Sequence, residues 1–556
     1  MSIPRRSSRR YLLCNERTMM NRHTHKVAPR ADSSSLTKST TLVGTSFFID
    51  PDQKTIMQRR IKTMQPEIKK IKEIMQIHEY QRIPVYQEML ADQITPVAAM
   101  QRLCAHSQHC YLLESASQDG SRGRYSFLGY HPQMEITCQN GLMTIRQKHA
   151  GGEKSNVFSV KHPGDTLRKI IKNYHSPVMK ELPPFTGGLV GYFAYDYLRY
   201  SEPKLSLAGN SSFRDLDLML FNDVIAFDHY QQKIYLISGV MTDDFENSYQ
   251  QAKANINQMR DDLASAVKKE FPPLQLKTPL TPRFNLDEYC QKVERAKRYI
   301  HKGDIFQMIL SNPLQAQASG SLFDTYRILR ASNPSPYMFY FASDDLELAG
   351  ASPETLARVN GCELSTFPLA GTRRRGRTPA EDQAMAKELQ TNKKELAEHN
   401  MLVDLGRNDL GKVSRIGTIH LEKYLQIQYF SQVMHLGSTI KSQLSPDHDA
   451  IDVVDAVLPA GTLSGAPKFR ACQIIEELEQ DRRGVYGGGI GYLDFAGNLD
   501  ICIAIRFVSK QGNQLGIRSG AGIVADSVPH QEFKECQNKA RAVKLAVLAA
   551  EGGLEN

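Results

Sequence analysis

Two Glu-x-x-Glu pairs carry the chemistry most directly. Glu395 and Glu398 lie in KKELAEHNMLVDLGRNDLGKV, and Glu532 and Glu535 in GIRSGAGIVADSVPHQEFKECQNKA. Residues three apart share one face of a helix. Two helices crossing with those faces opposed gather up to four carboxylates around one point. A hard divalent cation suits such a point. Mg²⁺ fits best, because it takes a few carboxylates and leaves positions for water and an anionic substrate. Solvated helix faces often carry the same spacing, and Glu476 with Glu479 is a third pair with no special surroundings. The weight therefore falls on the segments around the first two pairs. Gly487, Gly489 and Gly491 form G-x-G-x-G, but the run enters a strand pattern rather than opening a helix, so no dinucleotide site is expected. PAGTLSGAPK (Pro459–Lys468) lacks the order of a nucleotide phosphate loop. In GIRSGAGIVADS, the small residues Gly520, Ala521 and Gly522 let backbone N–H groups approach a ligand closely.

The elements that position these residues read as α+β. Residues 78–265 mix helix and strand. Leu218–Asp228 and Lys233–Met241 are expected to form a hairpin around the polar turn His229–Gln232. Four prolines in Glu270–Phe284 mark a connection. Asn285, with Glu288 three residues on, starts a helix by a capping-box pattern, and Gly303 can end it. Strand-like segments follow, then helices around 380–405, 450–458 and 468–480. Further strands lead to a last helix from about Pro529 to Ala550. Strands and helices do not alternate singly, so antiparallel sheets flanked by helices are expected, not a doubly wound sheet. Three parts are expected: a basic, disordered extension over 1–75, an N-terminal domain over 76–270 and a catalytic domain over 285–556.

Charge excludes one broad class. Residues 1–75 hold 16 Lys+Arg and 6 Asp+Glu, a net of +10, while the other 481 hold 53 and 54, a net of −1. The positive charge is a tail, not the folded surface that nucleic acid requires. The tail fits an organellar transit peptide, and a disordered extension or an upstream start fits at least as well, with Met57, Met64 and Met75 as internal starts. No apolar run reaches the ~18 residues that span a bilayer, so no membrane partner is expected. Nine scattered cysteines without Cys-x-x-Cys point to a reduced intracellular protein lacking structural zinc.

Several segments together resemble the chorismate-utilising enzymes, and within them the anthranilate synthase large subunits. They are GDIFQMILSN, NPSPYMFYF, GASPETLARV, PLAGTRRRG, ELAEHNMLVDLGRNDLGKV, VMHLGSTI, LPAGTLSGAPK, YGGGIGYLDFAGNLDICIAIRF and GAGIVADSVPHQEFKECQNKA. The resemblance covers about 78–550 and implies a reaction. Ammonia adds at C2 of chorismate as the C4 hydroxyl leaves, pyruvate is eliminated, and the ring aromatises to anthranilate. It implies Mg²⁺ on Glu398 and Glu535 with Glu395 and Glu532 beside them. It implies substrate contacts from Thr366, Thr462, Tyr486, Arg506, the Gly520–Gly522 amides and Lys539, and proton transfer by His435. Two positions separate the siblings. Gln307 stands where isochorismate and salicylate synthases carry a water-activating Lys. Ala370 stands where 4-amino-4-deoxychorismate synthases carry a nucleophilic Lys, and a methyl forms no adduct.

The resemblance also implies an N-terminal regulatory region packed on the catalytic domain. LLES and NPSPYMF resemble a tryptophan feedback site lined by Ser115, Pro336, Tyr337 and Met338, with Glu114 nearby. No G-x-C-x-G nucleophile elbow occurs, so ammonia is expected from a separate glutamine amidotransferase subunit. The expected compartment is the cytoplasm, or a plastid if the tail is a transit peptide.

Overall fold

The structure, a computed structural model, describes residues 63–116, 123–149, 152–205, 212–429 and 433–554. Most of the expected 1–75 extension lies outside these residues. Residues 64–556 form one compact unit, which includes the helix Ile68–Ile77.

Two sheets make up the unit, and every strand pair in them is antiparallel. The thirteen-stranded sheet runs from Arg82–Leu90 through Lys233–Met241, Val224–Asp228, Tyr125–Tyr130, Cys110–Glu114, Tyr337–Ser343, Leu346–Ser352, Phe507–Gln511 and Gln514–Ile523 to Gln307–Ser319. The twelve-stranded sheet runs from Leu369–Arg374 through Val433–Gln443, Glu363–Thr366, Thr355–Asn360, Leu499–Ile503, Gly489–Asp494, Gly188–Phe193 and Leu216–Phe221 to Met134–Gln139 and its neighbours. Segments from 76–270 and from 285–556 thus share both sheets. Cys110–Glu114 pairs with Tyr337–Ser343, and Gly188–Phe193 with Gly489–Asp494.

YMFYFA has no polar–apolar alternation because both its faces are buried. Phe339 and Phe341 join the core shared with the second sheet. Met338, Tyr340 and Ala342 face a second core, as the period-two pleat dictates. Helices cover that second core: Pro96–Leu103, Phe245–Ala264, Phe323–Ser332 and the C-terminal Pro529–Ala549. The capping box at Asn285 forms as its sequence implies. Asn285 Oδ1 accepts from the Glu288 N–H at 3.0 Å, and Glu288 Oε2 from the Asn285 N–H at 2.9 Å.

The hairpin expectation needs correction. Val224–Asp228 and Lys233–Met241 do pair, but Leu216–Phe221 belongs to the other sheet. The chain changes sheets at Asn222. Its side chain takes the buried Arg82 Nε at 2.6 Å and donates to Gly239 O at 3.0 Å, which satisfies the break in the ladder.

Glu479 also differs from expectation: its surroundings are special. Glu479 and Arg483 form a fully buried ion pair at 2.6 Å. Glu479 accepts the Ser311 N–H at 2.7 Å, and Arg483 donates to Ile309 O at 2.9 Å and to Leu463 O. The pair therefore fastens the Gln307–Ser319 strand to the loop around Thr462. Removing one partner strands a charge in a dry interior. Glu479→Ala is expected to lower stability by about 3–5 kcal/mol in urea denaturation. A shift below 1 kcal/mol, checked on the purified chain, would show the pair to be dispensable.

Candidate active site

The carboxylate pairs occupy matching places. Glu395 lies in the first turn of the helix Lys393–Gly411, and Glu532 in the first turn of Pro529–Ala549. Glu398 and Glu535 follow one turn later. Helix N-termini favour negative charge, which eases the gathering of acids. Asn392 caps the first helix by accepting from the Lys394 and Glu395 N–H groups. Burial raises the Glu398 carboxyl above its ordinary value, and Glu395 and Glu535 raise it further. Burial likewise raises Glu532, with Glu535 adding to the rise, while the Ser527 hydroxyl opposes it.

Lys539 is the cation common to these acids. Its Nζ lies 2.7 Å from Glu535 Oε1 and donates to Gly520 O at 3.1 Å. It also favours the ionised forms of Glu398, Glu532 and Glu354. Glu395 instead accepts from Arg373 at 3.0 Å. Glu398 and Glu535, the latter held by Lys539, are close enough to repel each other, and two such carboxylates are a donor set that fits Mg²⁺ completed by water and an anion. The tightest cluster of metal-ligand types among the described residues is elsewhere, at His109, Glu135 and Asp344. Arg146 and Arg214 already occupy those carboxylates, so it reads as a charge knot rather than an ion site.

The rest of the site forms where strands step between sheets. Leu346–Ser352 ends in the first sheet and Thr355–Asn360 begins in the second. Beside it, Leu499–Ile503 in the second sheet leads to Phe507–Gln511 in the first. Glu354 and Arg506 sit on these two steps. Ser352 Oγ donates to Ile503 O at 2.7 Å, the Ile503 N–H to Glu354 O at 2.9 Å and the Ala351 N–H to Arg506 O at 3.1 Å. Arg506 makes its step with φ 55°, a left-handed conformation that costs a non-glycine residue about 1–2 kcal/mol. Its guanidinium donates to Lys539 O and is close enough to His435, Tyr486 and Glu535 to interact electrostatically with each.

The Gly520–Gly522 segment is an extended strand, with Leu310 opposite Ala521 and Ser311 opposite Gly520. Ser311 turns its N–H to Glu479, so Gly520 faces away from that partner strand by ladder alternation. Its carbonyl goes to Lys539, and a Cβ at Gly520 would sit 3.1 Å from the Tyr486 hydroxyl.

His435 Nδ1 lies 3.0 Å from Gly371 O and 3.1 Å from Thr372 Oγ1. A carbonyl only accepts, so Nδ1 carries the proton and Nε2 is the basic nitrogen. Burial, with help from Arg506, lowers its pKa and keeps the ring neutral.

A cleft of about 440 Å³ is lined by Glu354, Thr355, Thr366, Asp409 and Thr462 among others. Thr366 donates to Leu356 O at 3.1 Å. Thr462 Oγ1 is buried without a hydrogen-bond partner, yet close enough to Glu354 to favour its ionised form. Sequence reasoning missed Glu354. Its signal was an acid inside the apolar run LELAGASPETLARV. Burial pushes this carboxyl up to about 8, so it is protonated at neutral pH.

A second cavity of about 760 Å³ brings together Ser115, Pro336, Tyr337 and Met338, with Tyr125, Phe127, Arg358, Tyr492 and Asp500. Ser115 Oγ is buried without a partner. Glu114 also lines it, but Arg330 holds that carboxylate at 2.6 Å and Ser126 donates to it at 3.2 Å.

Comparison with known proteins fits this geometry. Residues 108–544 match the model of the chorismate binding enzyme family. Anthranilate synthase component 1 of Acetivibrio thermocellus is 38% identical over 84% of this chain and 96% of its own. The chloroplastic anthranilate synthase alpha subunit 2 of Arabidopsis thaliana is 37% identical over 84% and 82%. The crystal structure of anthranilate synthase component I from Streptococcus pneumoniae TIGR4 superposes with a TM-score of 0.67 at 33% identity, covering 82% of this chain and 98% of that one. With its cleft assembled from the segments that first suggested the resemblance, the chain belongs to the chorismate binding enzyme family, among the anthranilate synthase component 1 proteins.

Proposed function

We propose that this chain converts chorismate and ammonia to anthranilate and pyruvate, with Mg²⁺ bound at Glu398 and Glu535. The observation that supports it most is a buried, protonated acid, Glu354, on the wall of a cleft and within electrostatic reach of Lys539, in a site that also holds a neutral base, His435, beside Arg506. Bound Mg²⁺ supplies Lewis acidity to the ring carboxylate. Arg506 forks onto the enolpyruvyl carboxylate, and Tyr486 and the Gly520 edge complete that grip. Glu354 gives its proton to the departing C4 hydroxyl as nitrogen bonds to C2. The ammonium formed at C2 returns a proton to the Glu354 carboxylate. His435 Nε2 then takes the C2 proton as the C3–oxygen bond breaks and enolpyruvate leaves.

Gln307 and Ala370 support this product over those of the siblings. Both are buried, and neither can act as the base or nucleophile that those reactions need. The second cavity is read as a tryptophan feedback site. A glutamine amidotransferase partner is read as the source of ammonia.

Fluorescence of anthranilate, formed from chorismate, MgCl₂ and ammonium chloride, tests the reaction. Chelated protein is expected to lose turnover, and so are Glu398→Gln and Glu535→Gln with their fold intact by circular dichroism. Near-full activity of either variant at limiting Mg²⁺ would remove the metal assignment.

A second prediction concerns pH. Glu354 has a folded pKa above its unfolded value, so its contribution to stability is complete below about pH 4.5 and lost as pH rises through about 8. Proton donation follows the same limb. The rate per free ammonia molecule is therefore expected to be flat below pH 8 and to fall about tenfold per unit above it. Glu354→Gln is expected to lose about 10²–10⁴-fold in kcat. A profile that rises through pH 9 after correction for free ammonia would assign the proton to another group.

A further inference from the structure

The two cavities share a wall. Glu354, Thr355, Leu356 and Ile503 line the reaction cleft. Arg358, Asp500 and Cys502 line the second cavity. Glu354 immediately precedes the strand Thr355–Asn360, and the other residues belong to that strand or its partner Leu499–Ile503. In that pair Thr355 is opposite Cys502 and Arg358 opposite Asp500. Successive strand residues point to opposite faces, so a single two-stranded ribbon presents side chains to both spaces. The register slips between Thr355 and Ala357. Such irregularities re-aim neighbouring side chains, and Glu354 is the residue next to this one.

Tyr337 joins the two spaces. Its ring lines the second cavity. Its hydroxyl donates to Asp500 Oδ1 at 2.7 Å and lies 3.0 Å from Thr355 Oγ1. Glu354 is fixed at its carbonyl by the Ile503 N–H at 2.9 Å, so the aim of its side chain depends on what holds Thr355. We propose that Tyr337 is a positioning residue for Glu354: its hydroxyl, anchored on Asp500, holds Thr355 in place, and an aromatic amino acid in the second cavity acts on the reaction by displacing the Tyr337 ring.

The chemistry of the cavity supports that ligand class. Tyr125, Phe127, Met338 and Tyr492 offer an aromatic and thioether surface. The partnerless Ser115 hydroxyl and the Arg358–Asp500 pair at 3.5 Å offer groups for an ammonium and a carboxylate. The relay needs little motion, because a misplacement of about 1 Å at a reacting group can cost about 10²-fold in rate. The proposal rests on reading this cavity as the tryptophan site.

Calorimetry of tryptophan on the full chain, in ammonia-free buffer with and without saturating chorismate, tests both ideas. In the unaltered protein chorismate is expected to weaken tryptophan binding by about 5–150-fold, the usual range of coupling between sites. Ser115→Phe is expected to abolish tryptophan binding. Tyr337→Phe and Thr355→Val are expected to bind tryptophan with a coupling factor near 1, and Thr355→Ser to restore the coupling. Absence of tryptophan binding to the unaltered protein, or undiminished binding to Ser115→Phe, sinks the feedback reading and the relay with it. Tryptophan bound with full coupling in both Tyr337→Phe and Thr355→Val overturns the relay alone.

Discussion

The buried Glu479–Arg483 pair is the constraint on which the site depends. Each partner alone would be a charge in a low-dielectric interior, and the pair is tolerable because the charged atoms of both side chains are engaged. Those bonds go to Ser311, Ile309 and Leu463, so three segments distant in sequence are locked in one register. Arg483 also lies over the rings of Tyr195 and Tyr486, 4.7 and 5.8 Å from their centroids. The strand that pairs with Gly520–Gly522, the loop of Thr462 and the ring of Tyr486 therefore all meet at Arg483.

Around that rigid base the site concentrates like charges. Four glutamates occupy two helix N-termini; Lys539 acts on Glu398, Glu532 and Glu535, while Arg373 holds Glu395. Burial and mutual repulsion hold Glu398 and Glu532 above the ordinary carboxylate range. That arrangement costs stability in the free protein, and a divalent cation or a cationic transition state relieves it. At Glu354 burial goes further and keeps the carboxyl protonated, although Thr462 and Lys539 favour its ionised form. Two environments thus divide one residue type between anion and acid.

The stepping of strands between the two sheets links the cleft of Glu354 to the second cavity. Residues 352–355 and 503–507 cross side by side, which places Glu354 and Arg506 at one rim. The same ribbon continues as a wall of the second cavity. A fold whose sheets each draw strands from both halves of the chain gives a ligand in one cavity a short path to the other.

The sequence alone determined what depends on local spacing. The Asn285 capping box, the helix from Pro529 and the Glu-x-x-Glu faces are readable because their partners lie within a turn. The α+β class and the gathering of Ser115 with Pro336–Met338 were also legible, through motif context. Tertiary structure alone decided the rest. Val224–Asp228 left the strand expected from Leu218 because Asn222 meets Arg82, a residue 140 positions away. Glu479 looked like any helical acid until Ser311 and Arg483 closed over it. Glu354 became an acid rather than an anion through burial by residues contributed from four separated segments. Periodicity reports which face a residue takes, but the charge state of a carboxyl is set by the dielectric around it, and only the assembled fold supplies that.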